Sequence, residues 1–158
     1  MPLSIRSARI SEIEPVMALL KELDEAHVDL EPSLLQRFKG EPRPREWLEL
    51  RFADSSEACL VADLDGCIVG FVWCKSQNPP ALPAFIQEPL LVVGDLVVHA
   101  PLRQRGIGRA LLEAALSWGR ARGLKRAQLT VFQRNESARS FYIGLDFQPL
   151  SVVMMREL

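Results

Sequence analysis

The stretch Leu102–Gly123, LRQRGIGRALLEAALSWGRARG, sets three arginines and two glycines at the head of an apolar helical pattern. Ile107, Leu111, Leu112, Ala115, Leu116 and Trp118 recur at the spacing of one helix face, so an amphipathic helix is expected from about residue 107. Gly119 or Gly123 can close it. Arg103, Arg105 and Arg109 then crowd positive charge around Gly106 and Gly108 at the helix N-terminus. The helix macrodipole favours negative charge at that end, so folding alone does not ask for the arrangement. A bound anion resolves the conflict. Glycines let backbone N–H groups come close to an oxyanion, first-turn N–H groups lack helical partners, and arginines add charge-assisted contacts. The pattern is not the dinucleotide fingerprint, which would need a glycine at Leu111. No P-loop lysine follows the glycines either.

Upstream, LLVVGDLVV reads as a buried strand, with Gly94 marking a bulge or a close backbone approach. EACLVADLDGCIVGFVWCKS is a hairpin around Asp65-Gly66, a dipeptide suited to a type I′ turn. LSIRSARI predicts a first strand, and Ser11 is expected to cap a helix with its apolar stripe on Ile13, Val16, Met17, Leu20 and Leu23. Short helical pieces broken by Gly40, Pro42 and Pro44 follow, and the proline-rich segment 77–89 reads as a loop. Downstream, KRAQLTVFQ alternates as a strand, Asn135 caps a short helix through Phe141 and Tyr142, and two terminal β segments divide near Pro149.

The 158 residues suit a single domain over 1–158, with 48% hydrophobic and 25% charged residues. A net charge of −1 makes the basic cluster local, suited to a small anion and not to nucleic acid. Cys59, Cys67 and Cys74 form neither a disulfide framework nor a metal pattern, so no metal is expected. No segment has the length and apolarity of a signal peptide or membrane span, which sets the expectation of a cytoplasmic protein without a membrane partner.

Two motifs together resemble a family. Arg103, Gly106 and Gly108 match the [QR]-x-x-G-x-[GA] pattern of the GNAT superfamily of acetyl-CoA-dependent N-acetyltransferases. Asn135, Ala138, Phe141, Tyr142, Leu145 and Phe147 match its N-x-x-A-x-x-F-Y-x-x-L-G-F stretch, with Asp146 in place of its glycine. The resemblance spans Leu90–Gln148. It implies an α/β fold (α+β by some schemes), with a mostly antiparallel mixed sheet, splayed at its centre and flanked by helices on both faces.

The resemblance also implies roles. Arg103, Gln104, Arg105, Gly106, Ile107, Gly108 and Arg109 would cradle the pyrophosphate of coenzyme A. Leu96, Val97 and Val98 would pair with its pantetheine arm, and a backbone N–H near Leu96 or Val97 would meet the thioester carbonyl. Asn135 would add a contact, and Tyr142 would donate a proton to the departing thiolate. Asp95 is the first candidate to accept the amine proton or hold an ammonium group, ahead of Glu88 and then His27. Asp24, Glu25, Asp29, Glu31 and Glu88 would suit a cationic substrate if they face the cleft. The expected activity is acetyl transfer to a primary amine of a small molecule or peptide, in a chain that could form a homodimer. The alternative is a non-catalytic acyl-CoA sensor with the same pocket.

Overall fold

The computed structural model describes residues 2–158. Its five strands lie in one sheet in chain order: β1 (Leu3–Ser7), β2 (Glu57–Leu64), β3 (Cys67–Gln77), β4 (Leu90–Val98) and β5 (Ala127–Leu129). The first four are antiparallel, and β5 runs parallel to β4. Helices α1 (Ile13–Leu30) and α2 (Arg45–Ala53) cover one face, and α3 (Ile107–Ala121) and α4 (Glu136–Ile143) cover the other. This is the mixed, two-faced α/β architecture that the resemblance implies. No helix among the described residues is long and apolar enough to cross a membrane.

Burial on both faces explains the continuous apolar run of β2. Ala58, Leu60 and Ala62 face α3, while Cys59 and Val61 face α1 and α2. Asp65 and Gly66 take φ of 52° and 84°, the two positive values of a type I′ turn, and Asp63 accepts the Gly66 N–H at 2.8 Å.

Several boundaries differ from the sequence expectations. A 3₁₀ turn at Ile10–Glu12 precedes α1, and Glu12, not Ser11, secures the start by accepting the Arg9 N–H at 2.8 Å. Arg6 grips Glu12 at 2.6 Å and Asp63 at 2.8 Å, tying β1, β2 and the entry to α1 together and holding the Glu12 carboxyl below its usual range. Between α1 and α2 the chain forms no other helix, and α2 starts directly after Pro44. The strand expected over 125–133 pairs only at Ala127–Leu129, and the two expected terminal strands do not form. Alternation reports a tendency to be extended, whereas a strand also needs a neighbouring edge along its length.

One irregularity governs the functional side of the sheet. In the β3–β4 ladder Val72 faces Leu96 and Cys74 faces Val93, so Gly94 and Asp95 together oppose Trp73. This is a β-bulge, and one extra residue reverses the alternation beyond it. Leu91 and Val93 pack on the α3 face before the bulge, and Leu96 and Val98 do so after it. Asp95 is thereby turned toward the α1–α2 face, on the same side as buried Val97.

The bulge needs glycine because the Trp73 ring lies against it. A Cβ on Gly94 would collide with Trp73 Cε3 and sit 2.7 Å from Cζ3. The ring cannot easily yield: its Nε1 donates to Glu57 at 2.6 Å, Trp47 packs edge-on at 5.4 Å, and the Arg51 guanidinium lies 4.7 Å from its centroid. Gly94→Ala is therefore expected to destabilise the fold by about 1–3 kcal/mol, the usual cost of overpacking. Urea unfolding measures it, and an unchanged midpoint would refute the clamp.

Candidate active site

Pairing between β4 and β5 covers only Leu91–Val93 against Ala127–Leu129, and beyond it the two segments part. A cleft of about 370 Å³ opens in the gap. Val92–Leu96 form one wall and Thr130–Phe132 the other; Leu23 and His27 of α1 and Asn135, Ala138 and Tyr142 complete it. The register decides which amides face the gap. His99 N–H bonds to the Val69 carbonyl at 2.9 Å, so in the antiparallel alternation Val97 also bonds toward β3, opposite Phe71. The N–H groups of Leu96 and Val98 then point the other way, into the splay. Of the two amides the sequence left open, the register selects Leu96.

The glycine turn lies at the C-terminal end of β4. Gln104 and Gly106 take φ of 61° and 82°, and Gly106 is the N-cap of α3. The first helical bond runs from Ala110 N–H to Gly106 O, which leaves the N–H groups of Ile107, Gly108 and Arg109 without helical partners. The Ile107 side chain is buried in the core, so this residue offers its backbone alone. A Cβ on Gly108 would make only ordinary contacts, 3.6 Å to Val98 and 3.7 Å to Phe141. Packing within the chain does not demand that glycine, and its open side suits the approach of a phosphate. Arg105 and Arg109 are exposed and form no ion pair among the described residues.

Arg103 departs from the expectation that it stands free for phosphate. Its Nε donates to the Val98 carbonyl at 2.9 Å, and its Nη2 meets Glu22 at 3.2 Å. Glu22 of α1 also accepts the Ala100 N–H at 2.6 Å and contacts His99 Nδ1 at 2.9 Å. Arg103 thus helps to build the turn, and Glu22 fastens that turn to α1.

On the α1–α2 side, Arg43 sits between two carboxylates, with Asp24 at 2.6 Å and Asp95 at 3.7 Å. Burial raises the Asp95 pKa above the usual carboxylate range, and the nearby Arg43 charge opposes that rise. Burial also lowers the pKa of His27, whose ring packs edge-on to Phe132 at 5.2 Å. His27, ranked last from sequence, lines the cleft; Glu88 does not, and pairs with Lys125 at 3.8 Å. Arg43 escaped sequence reading because it stands in a proline-broken loop without a motif.

The acidic run is not a bare anionic wall. Asp24 is paired with Arg43, Asp29 with Arg37 and Glu31 with Arg134. At the cleft, Asp24 and Asp95 share one guanidinium, leaving one excess negative charge when both are ionised. Leu82, Phe85 and Ile86 of the proline-rich loop are exposed and do not line the cleft.

Asn135 accepts the Ala138 N–H at 3.1 Å and caps α4, which carries Tyr142 to the cleft. The Tyr142 ring packs edge-on against Phe141 and Phe147 at 5.2 and 5.9 Å. Burial raises its pKa, so the phenol stays protonated. Asp146 takes φ of 67°, the left-handed conformation that Asp tolerates better than most residues.

With this geometry in view, comparison with known proteins is decisive. The profile of the Acetyltransferase (GNAT) family matches residues 23–147. The chain belongs to the GNAT family. An uncharacterized N-acetyltransferase of Archaeoglobus fulgidus is 34% identical over 103 residues, 65% of this chain and 66% of that protein. Another from Bacillus subtilis, YycN, is 32% identical over 58% of this chain and 54% of its own length. The chain thus spans roughly half to two thirds of these relatives. Among solved structures, a tetramutant of the BH1408 protein from Bacillus halodurans superposes with a TM-score of 0.91 at 26% identity, covering 98% of this chain and 99% of that one. AAC(6')-Iy in complex with the bisubstrate analogue CoA-S-monomethyl-acetylneamine shares the fold, with a TM-score of 0.75 at 20% identity over 100% of this chain and 99% of that one.

The raised Asp95 pKa carries a stability consequence. The folded state binds this proton more tightly than the unfolded chain, so stability rises as pH falls through the folded pKa and is reduced above it. Asp95→Asn, which removes the charge, is expected to keep or raise the Tm at pH 7 and to flatten its dependence in the mildly acidic range. Thermal unfolding across pH checks this; a lower Tm with an unchanged pH profile would contradict it.

Proposed function

We propose that this protein transfers the acetyl group of acetyl-CoA to a primary amine of a small molecule or peptide by direct attack. The observation that carries the reading is the splay, which leaves the Leu96 N–H facing a cleft shared with Tyr142. Free first-turn amides at Ile107–Arg109, with Arg105 and Arg109, support pyrophosphate binding at Arg103–Arg109. Between these points lies the free edge of Leu96–Val98, suited to the amide-bearing pantetheine arm, with Asn135 across the cleft. The role of Arg103 in this reading is to hold the turn through Val98 and Glu22.

In the proposed step, the lone pair of a neutral amine adds to the thioester carbon as the carbonyl π pair moves to oxygen, and collapse of that tetrahedral adduct then breaks the carbon–sulfur bond. The Leu96 N–H stabilises the developing oxyanion. The Tyr142 hydroxyl gives its proton to the leaving thiolate; burial raises its pKa, so the phenol still carries that proton when the thiolate departs. Asp95, steadied by Arg43, holds the incoming ammonium group or accepts its proton. The single excess negative charge of the Asp24–Arg43–Asp95 group suits a substrate presenting one ammonium at the reacting end. Likeness in fold to aminoglycoside acetyltransferases, and a 34% identical segment in a mycothiol acetyltransferase of Frankia alni, support a small-molecule amine as acceptor.

Tyr142→Phe keeps the ring packing and removes the hydroxyl. Turnover with an amine from a polyamine, aminoglycoside and amino-acid panel is expected to fall on the order of 10²-fold, with coenzyme A affinity unchanged. The wild-type rate is expected to rise with pH as the amine loses its proton, with no decline near the ordinary tyrosine pKa of about 10. Unchanged turnover with chemistry rate-limiting would remove Tyr142 from the mechanism. Coenzyme A binding without transfer to any amine would favour the acyl-CoA sensor.

A further inference from the structure

Three titratable side chains line the cleft: Asp95, Tyr142 and His27. The proposed step gives work to the first two and none to His27. This histidine stands on the last turn of α1, four residues after Leu23, so both project from one helix face into the cleft. Phe132 on the opposite wall packs edge-on against the ring, with centroids 5.2 Å apart and planes at 82°, which sets the tilt of the imidazole. The chain has two histidines. His99 is committed to Glu22 at 2.9 Å, whereas the His27 ring makes no hydrogen bond or ion pair among the described residues. Its acceptor nitrogen is uncommitted.

We propose that His27 is the general base of the transfer, taking the proton that the attacking amine must lose, while Asp95 holds the amine in place. The proposal rests on the acetyltransferase reading above and divides the two roles left there to Asp95. Once its lone pair has bonded to the thioester carbon, the adduct nitrogen carries a positive charge. His27 accepts a proton from it, leaving a neutral amide nitrogen, and Tyr142 supplies a proton to the sulfur. Imidazolium and phenolate remain, and one proton passing between them through the water of the open cleft restores both. The surrounding charges favour this division. Asp24 and Asp95 share Arg43, so the group keeps one excess negative charge, which attracts first the substrate's ammonium and then the imidazolium. Each of the two carboxylates favours the His27 cation more than Arg43 opposes it. At Asp95 the balance is reversed, and the Arg43 charge 3.7 Å away outweighs that of Asp24 in opposing a proton. Position in the last turn of α1 also suits an imidazolium, because a helix C-terminus carries negative partial charge. Burial works the other way and keeps the resting imidazole neutral, ready to accept.

Single-turnover acetyl transfer to an amine on which the wild-type protein acts tests the assignment. His27→Ala is expected to slow this step on the order of 10²-fold, with coenzyme A still raising the Tm. Added imidazole should restore part of the rate to His27→Ala, in proportion to its unprotonated fraction, and should leave the wild type unchanged. A histidine that only supported the fold would not be replaced in this way. His27→Gln, which keeps a polar side chain in the same space, should be similarly slow and covers failure of the smaller variant to fold. A wild-type rate in either variant would overturn the role of His27, and so would a loss confined to the KM for the amine or one that imidazole does not restore. Each of those results leaves the acetyltransferase reading intact. Absence of transfer by the wild type to every amine of the panel would overturn both.

Discussion

The packing of Trp73 against Gly94 is the constraint on which the functional half of the molecule depends. The indole is held by Glu57, Trp47 and Arg51, and it occupies the space where any β-carbon at residue 94 would sit. With that space filled, β4 accommodates Gly94 and Asp95 opposite a single residue. Three consequences follow from one extra residue. Asp95 turns toward Arg43, the Leu96 N–H turns toward the gap, and β4 continues to Val98 after β5 has ended its pairing at Leu129.

The end of β4 converts that distortion into a binding surface. Glu22 gathers His99, Ala100 and Arg103, which fixes the turn on which Gly106 and the first amides of α3 are carried. Positive charge at this helix end is unfavourable when the site is empty. On the proposed reading, that cost is offset when phosphate binds. The core beneath is ordinary: Leu111, Leu112 and Ala115 of α3 pack against Leu91 and Val93, so the helix end is presented by a rigid support.

Much of this was legible in the sequence, for local reasons. Gly94 in an apolar run announced the bulge, Asp65-Gly66 the hairpin, and Arg103–Arg109 the turn, because each is a backbone problem solved by neighbouring residues. Arg43, Glu22 and His27 were missed or ranked low because their importance comes from elements that meet only after folding. Arg103 was expected to meet phosphate from its charge beside the glycines and from the family motif; its contacts with Val98 and Glu22 come from elements that folding brings together. The terminal strands failed for a related reason: the apolar run at Leu150–Met155 favours an extended segment, whereas a strand also needs an edge beside it.

The account's central claim is geometric, that the splay and the Tyr142 cleft form one continuous site with the α3 turn. A crystal structure with acetyl-CoA tests it most directly. The account predicts the pyrophosphate on the amides of Ile107–Arg109, the thioester carbonyl within hydrogen-bond distance of Leu96 N–H, and the sulfur beside Tyr142 Oη. A pyrophosphate bound elsewhere, or a thioester remote from both Leu96 and Tyr142, would contradict it.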